Sequence, residues 1–317
     1  MKILITGATG FVGANLAHFF VKEKADVHIL LRHSSNTWRI NDILNRLNKH
    51  YCDLTDRENT KRVVSEIEPN IIIHLAIYGG YPSQTNYSEM VNINYIGTIN
   101  LLDACMEKGF DCFINTGSSS EYGIKEKAMK ESDLLEPIDI YGATKAAATL
   151  YCHALAKKYN LPIFILRLFS PYGYHEEPTR LIPYLIMSML KNQEIKISSP
   201  YALRDFIFIE DAIEAFLLTI DKKDKVLPGT VLNVGSGSDT KVIEVFKILK
   251  EIVDYRMDFT VEGFPRDSDV LRIWRADTEK IQKILGWYPK YNLRVGLIKT
   301  VEWFRENLHL YEKREMN

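Results

Sequence analysis

An apolar run at residues 2–6 passes directly into Thr6-Gly7-Ala8-Thr9-Gly10-Phe11-Val12-Gly13, and a helical pattern at 12–24 follows. Few folds accept that order at the start of a chain. Glycines at G-x-x-G-x-x-G spacing allow a tight turn and a close backbone approach, and the helix N-terminus supplies positive potential for a pyrophosphate. At a first strand-to-helix turn this arrangement points to a bound dinucleotide. Gly7, Thr9, Gly10, Phe11, Val12 and Gly13 are then the expected cofactor contacts.

The rest of the first half agrees with that start. Runs at 26–31, 71–75, 112–116 and 163–168 are continuously apolar, as strands buried on both faces are. Helical patterns at 57–67, 94–108 and 141–158 separate them. Such alternation predicts an α/β fold with a doubly wound parallel Rossmann sheet. After residue 168 the pattern changes: a loop at 169–173, a helix at 181–192 with Pro183 in its first turn, and strands at 204–209 and 231–234. The segment 242–304 mixes helices with an irregular stretch around 263–267. The expected division is a dinucleotide-binding domain over 1–168, with about 205–235 returning to the sheet, and a smaller C-terminal substrate-binding lobe over 169–204 and 236–310.

Composition excludes several classes. The formal net charge of −1 on 317 residues gives no electrostatic case for nucleic acid or a membrane surface. No apolar run spans a bilayer, and Lys2 leads straight into a strand rather than a signal peptide. A cytoplasmic location is expected, with the four cysteines as reduced, buried thiols, since their spacing is unpaired. The eight histidines form no ligand-spaced pattern, so no metal is expected.

The end of the second strand bears on which dinucleotide binds. An NAD site usually carries Asp or Glu about 20 residues beyond the glycine loop. Here the residues are Leu30-Leu31-Arg32-His33-Ser34-Ser35. No acid is present, and Arg32 stands where a guanidinium can pair with a 2′-phosphate. NADP(H) is favoured, and NAD(H) stays possible. Asp53 either faces the adenine or belongs to a helix cap formed by Asp53-Leu54-Thr55-Asp56.

Two further stretches carry chemistry. In Tyr141-Gly142-Ala143-Thr144-Lys145 the tyrosine and lysine lie one helical turn apart. The lysine cation is expected to lower the tyrosine pKa and suit it to proton transfer at a hydroxyl or ketone. The fifth strand ends in Gly117-Ser118-Ser119-Ser120-Glu121-Tyr122, and ligands of such sheets bind beyond the carboxyl ends of the strands. The serines there either bond the oxygen that Tyr141 protonates or cap a turn.

With these motifs in place the chain resembles the extended short-chain dehydrogenase/reductase family, in its NAD(P)-dependent nucleotide-sugar epimerase/dehydratase/reductase branch. The likeness covers nearly the whole chain. It rests on the glycine loop, Asp53-Leu54, His74-Leu75-Ala76, Asn94 with Gly97-Thr98, Ser118, Tyr141 with Lys145, Arg204-Asp205-Phe206 and Asn233-Val234-Gly235. The resemblance implies a catalytic set of Ser118, Tyr141 and Lys145. Tyr141 is the acid/base, Lys145 tunes it and holds the nicotinamide ribose, and Ser118 orients the sugar oxygen. Leu54, Leu75 and Ala76 fall to the cofactor. Arg204 matches the arginine that binds the substrate diphosphate. Ser170 stands where many relatives carry asparagine, a departure that weakens inherited contacts in its loop. Arg180 and Arg272 are either further phosphate contacts or surface charge. The stretch 78–82 shapes the sugar pocket through Tyr78, or is a plain glycine turn. A homodimer through the helices near 94–108 and 141–158 is also implied.

The shared chemistry of the family is hydride exchange between a nicotinamide and a sugar carbon, usually C4. Dehydratase relatives carry acids where Ser119 and Ser120 stand here, and strand-like alternation turns Glu121 to the other side, so dehydration is disfavoured. Arg32 and the missing acid favour an NADPH-dependent reductase of an NDP-4-keto-6-deoxyhexose. A 4-epimerase or dehydrogenase with bound NAD is the alternative. From a different class, a non-catalytic dinucleotide sensor or scaffold stays open.

Overall fold

The structure is a computed structural model, and it describes residues 1–81, 83–263 and 273–311. The chain runs β1 (Lys2–Thr6), α1 (Phe11–Lys22), β2 (Asp26–Leu31), β3 (Asn48–Tyr51), α2 (Arg57–Ile67), β4 (Ile71–His74), α3 (Tyr87–Val91), α4 (Gly97–Lys108), β5 (Cys112–Ser118), α5 (Ile140–Tyr159) and β6 (Ile163–Leu168). It continues through β7 (Pro171–Tyr172), α6 (Leu181–Leu190), β8 (Ile195–Ile197), β9 (Leu203–Arg204), β10 (Ile207–Phe208), α7 (Ile209–Asp221), β11 (Val231–Val234), β12 (Thr240–Lys241), α8 (Val242–Val253), β13 (Phe259–Val261), α9 (Glu279–Leu285) and α10 (Leu293–Asn307).

Seven of these strands form one sheet in the order β11-β6-β5-β4-β1-β2-β3, and every pairing in it is parallel. The apolar strands explain the double winding. Ile3 and Ile5 of β1 and Ile71 and Ile73 of β4 point into one cluster with α1 and α7. Leu4 and Ile72 point into a second cluster with α2, α4 and α5. The first cluster continues without a break into α6, α8 and α10. Strand order reverses between β1 and β4, which opens a crevice at their carboxyl ends.

Three elements differ from the sequence expectation. Asn48–Tyr51 is a strand that went unpredicted, because an edge strand with three exposed residues has no apolar pattern. The helix expected at 94–108 begins earlier: α3 runs into a π-helical turn, Asn92–Ile96, and then α4. The strand expected at 204–209 divides, with Leu203–Arg204 and Ile207–Phe208 pairing in different small sheets and α7 starting at Ile209. No helix among the described residues is long and apolar enough to cross a membrane. Cys52, Cys105, Cys112 and Cys152 are buried and free.

Candidate functional site

A cleft of about 1210 Å³ opens at the carboxyl ends of the strands. That exceeds the roughly 300–1,000 Å³ of a site for one small ligand. Every residue of the expected cofactor set borders it, from the glycine loop through Arg32, Asp53, Leu54, Leu75 and Ala76 to Tyr141 and Lys145. Ser118, Ser119, Ser120, Ser170, Arg180 and Arg204 border it too. Tyr78 does not. Asn94 holds its backbone on both sides, accepting from Tyr78 N at 2.7 Å and donating to its carbonyl at 2.8 Å. Ile77, Gly79, Gly80 and Tyr81 line the cleft in its place. Arg272, Pro82 and residues 264–267 lie outside the described residues.

The glycine loop fits a dinucleotide. Gly7 turns at φ +69°, and a Cβ there would come within 2.6 Å of the Leu75 backbone. A Cβ on Gly13 would come within 2.3 Å of the Gly7 carbonyl oxygen. Side chains are thus excluded where the loop crosses the crevice. Gly10 stands at the N-cap of α1 and offers no side chain to it, which leaves the first helical amides for an anion. His74 fixes the crevice from behind. It is buried, meeting Thr6 Oγ1 at 2.7 Å and Thr98 Oγ1 at 2.9 Å, and burial lowers its pKa to about 3, so the ring is neutral. Asp53 bonds the Thr55 amide and hydroxyl, and Asp56 caps α2.

The candidate reacting groups sit on β5 and α5. Small residues on the buried face of α5 (Gly142, Ala146, Ala148) let it lie close to the sheet, and Asp139 caps its start. The Ser118 side chain acts on the Tyr141 phenol and favours its ionised form. Thr144 donates to the Tyr141 carbonyl at 2.8 Å and accepts from Asn94 at 3.0 Å, which ties this turn to the π-helical turn before α4. Lys145 is buried one turn on.

The electrostatics correct one expectation. Lys145 was expected to lower the Tyr141 pKa. Instead burial pushes the phenol up to about 12, against the Ser118 side chain and the Arg180 cation. Burial also lowers the Lys145 pKa, while the Glu121 carboxylate resists that shift. In the protein alone Tyr141 is a protonated donor. Arg180 donates to the Gly80 carbonyl at 2.7 Å, with the Tyr81 ring 5.7 Å away. Arg204 borders the cleft elsewhere, 5.8 Å from the Trp274 ring. The neighbouring Asp205 is structural, accepting the Ser236, Gly237 and Ala276 amides.

Glu121 is turned away from the cleft, but by a 3-10 turn over Ser119–Glu121 rather than by strand alternation. Its carboxylate accepts from Ser118 N at 2.8 Å, Thr149 Oγ1 at 3.1 Å and Arg167 Nε at 2.7 Å. Among the described residues no group of His, Cys, Asp and Glu is placed to hold a metal ion.

Sequence reasoning missed Arg39, Trp274, Glu176 and Glu177, which also border the cleft. No local motif marks them. Glu176 is 7% exposed, and its Oε2 meets no hydrogen-bond partner. Burial pushes its carboxyl up to about 8, against Arg180, the Gly173 amide and Arg39. The fold therefore holds a proton that the unfolded chain releases above about 4.5. Stability from this group falls as pH rises between those values. Glu176→Gln is expected to raise the melting temperature by about 4 °C at pH 8 and by much less at pH 5. Scanning fluorimetry at both pH values checks this, and an equal shift at both would contradict it.

Residues 3–235 match the model of the NAD dependent epimerase/dehydratase family. A dTDP-D-glucose 4,6-dehydratase from Mus musculus is 27% identical over 99% of this chain and 91% of its own length. The crystal structure of a UDP-glucose 4-epimerase from Thermotoga maritima, with UDP-glucose, aligns at a TM-score of 0.89 and 29% identity, covering 97% of this chain and 100% of that one. A UDP-glucuronic acid 4-epimerase from Bacillus cereus, in complex with UDP-glucuronic acid and NAD, aligns at 0.85 and 26% identity, with the same coverage.

Proposed function

The chain belongs to the NAD dependent epimerase/dehydratase family, and from that premise we propose that it is an NADPH-dependent reductase of a nucleotide-diphosphate 4-keto-6-deoxyhexose. One observation carries this reading: carboxylates are missing from two places along the cleft. After β2 the residues are Arg32-His33-Ser34-Ser35-Asn36, which supports a site for a 2′-phosphate. Along Ser118–Ser120 the nearest acid, Glu121, is paired inward with Arg167, which supports reduction over loss of water.

When bound, the dinucleotide supplies the hydride exchanged with the sugar carbon. Tyr141, held protonated by burial, donates its proton to the C4 oxygen. Ser118, at the end of β5 beside the same stretch of cleft, orients that oxygen. Lys145 is the residue that would hold the nicotinamide ribose. Arg204 takes the substrate diphosphate, and Arg180 keeps positive charge beside Tyr141.

A 4-epimerase with retained NAD is the second reading. It is supported by the similar structures described above, one a UDP-glucose 4-epimerase and one a 4-epimerase in complex with NAD. Arg32→Asp separates the two. A charge-assisted hydrogen bond contributes about 1.5–3 kcal/mol, so the variant is expected to weaken NADPH binding roughly 10- to 100-fold and to leave NADH nearly unchanged. Fluorescence titration with both dinucleotides measures this, and an unaltered preference would remove the support for NADPH.

The homodimer is proposed on the exposed face of α5, where Ala143, Ala147, Leu150 and Ala154 recur at helical spacing and Leu150 is 58% exposed. Light scattering is expected to give twice the chain mass, and Leu150→Arg to give the monomer. A monomeric wild type would contradict the proposal.

A further inference from the structure

Arg39 belongs neither to the glycine loop nor to the reacting groups, yet it bonds both sides of the cleft. It follows β2 in a short turn, Trp38–Ile40, and is 5% exposed. Its NH1 donates to the Thr9 carbonyl of the glycine loop at 3.1 Å. Its Nε donates to the His175 carbonyl at 2.6 Å, and its NH2 to the Glu177 carboxylate at 2.7 Å. The Trp38 ring lies 4.4 Å from the guanidinium. The path continues from there. The Glu177 carbonyl accepts the Arg180 amide at 2.9 Å. Arg180 stands at the N-cap of α6, reaches the Gly80 carbonyl and acts on Tyr141. On the far side the Tyr311 hydroxyl donates to the Glu176 carbonyl at 2.9 Å, and Trp38 packs edge-on against Tyr311 at 5.0 Å.

We propose that Arg39 and Glu177 are positioning residues that couple the two ends of the cleft, so that a dinucleotide on the glycine loop raises the affinity for the nucleotide sugar. This rests on the nucleotide-sugar reading above. A ligand that fixes Thr9 fixes the acceptor of one Arg39 donor. The planar guanidinium then sets where His175 and Glu177 sit, and with them Arg180. Two ligands that favour one arrangement of a shared network bind cooperatively. Neutralising Glu177 leaves the buried Arg39 charge uncompensated, and a lysine cannot reproduce the three-way fork.

The test is calorimetric titration of the full chain with UDP-glucose, dTDP-glucose, CDP-glucose and GDP-mannose, with and without saturating NADPH and, in parallel, NADH. Both ligands are then reduced, so no hydride passes. In wild type the tightest of the four sugars is expected to bind about tenfold tighter with dinucleotide present. In Glu177→Gln that gain falls below about twofold, while the Kd of the dinucleotide alone changes less than about threefold. Arg39→Lys loses the gain as well. A structural role alone would weaken each ligand singly and leave the gain unmoved. A full gain in both variants, or no gain in wild type, would overturn the proposal. Failure of all four sugars to bind would overturn the nucleotide-sugar reading, and the coupling with it.

Discussion

Tyr141→Phe is expected to lower kcat by about 10²- to 10⁴-fold, the contribution of a positioned acid or base. The change deletes one oxygen and keeps the ring that fills the space on α5. Thr144 holds this turn through the Tyr141 backbone carbonyl, which the change leaves in place. Dinucleotide affinity is therefore expected to stay within a few-fold of wild type. Turnover that survives the change would exclude Tyr141 as the proton donor. A wild type that binds dinucleotide and turns over no nucleotide sugar would favour the non-catalytic sensor. The pH profile adds a check. With the phenol held up to about 12 in the protein alone, proton donation is available throughout the neutral range.

Glu121→Ala carries the largest expected cost to stability. Glu121 and Arg167 have side chains 0% and 3% exposed. Arg167 also donates to the Tyr122 hydroxyl at 2.9 Å and stacks 4.6 Å from that ring. Tyr122 in turn donates to Asn233 at 2.7 Å, so the pair braces β5, β6 and β11 together. Removing the carboxylate leaves a buried guanidinium uncompensated, a loss of about 3–5 kcal/mol. For a chain of this size that lowers the melting temperature by roughly 10 °C. The same carboxylate accepts the Ser118 amide, so the variant is expected to lose turnover in addition. Glu121→Leu combined with Arg167→Met removes both charges and is expected to recover most of the stability without recovering turnover. Thermal melts and kcat on the two variants test this; a double variant no more stable than Glu121→Ala would contradict it.

The parts of the fold legible in the sequence are those set by local pattern. The glycine loop is one turn. The buried strands are short apolar runs, and α2 follows a period with a cap at Asp56. What was not legible depends on distance. The partners of Arg39 lie 30, 136 and 138 residues away, and no spacing rule reaches so far. The Tyr141–Lys145 spacing revealed a lysine one turn along the helix. It carried no information on burial, or on the cation Arg180 brought in from another segment, and these set the phenol's pKa. Strand alternation and the observed 3-10 turn over Ser119–Glu121 both carry Glu121 to the far side, and only the structure separates the two causes.

The proposed reduction by an exchanging NADPH is followed spectrophotometrically. The purified chain is given NADPH and a panel of nucleotide-diphosphate 4-keto-6-deoxyhexoses, and absorbance is followed as the C4 alcohol is quantified. Loss of NADPH in step with alcohol formed, over many turnovers, is the expected result. Inversion at C4 of a nucleotide hexose with no net NADPH consumed, on a dinucleotide that stays with the protein, would contradict it.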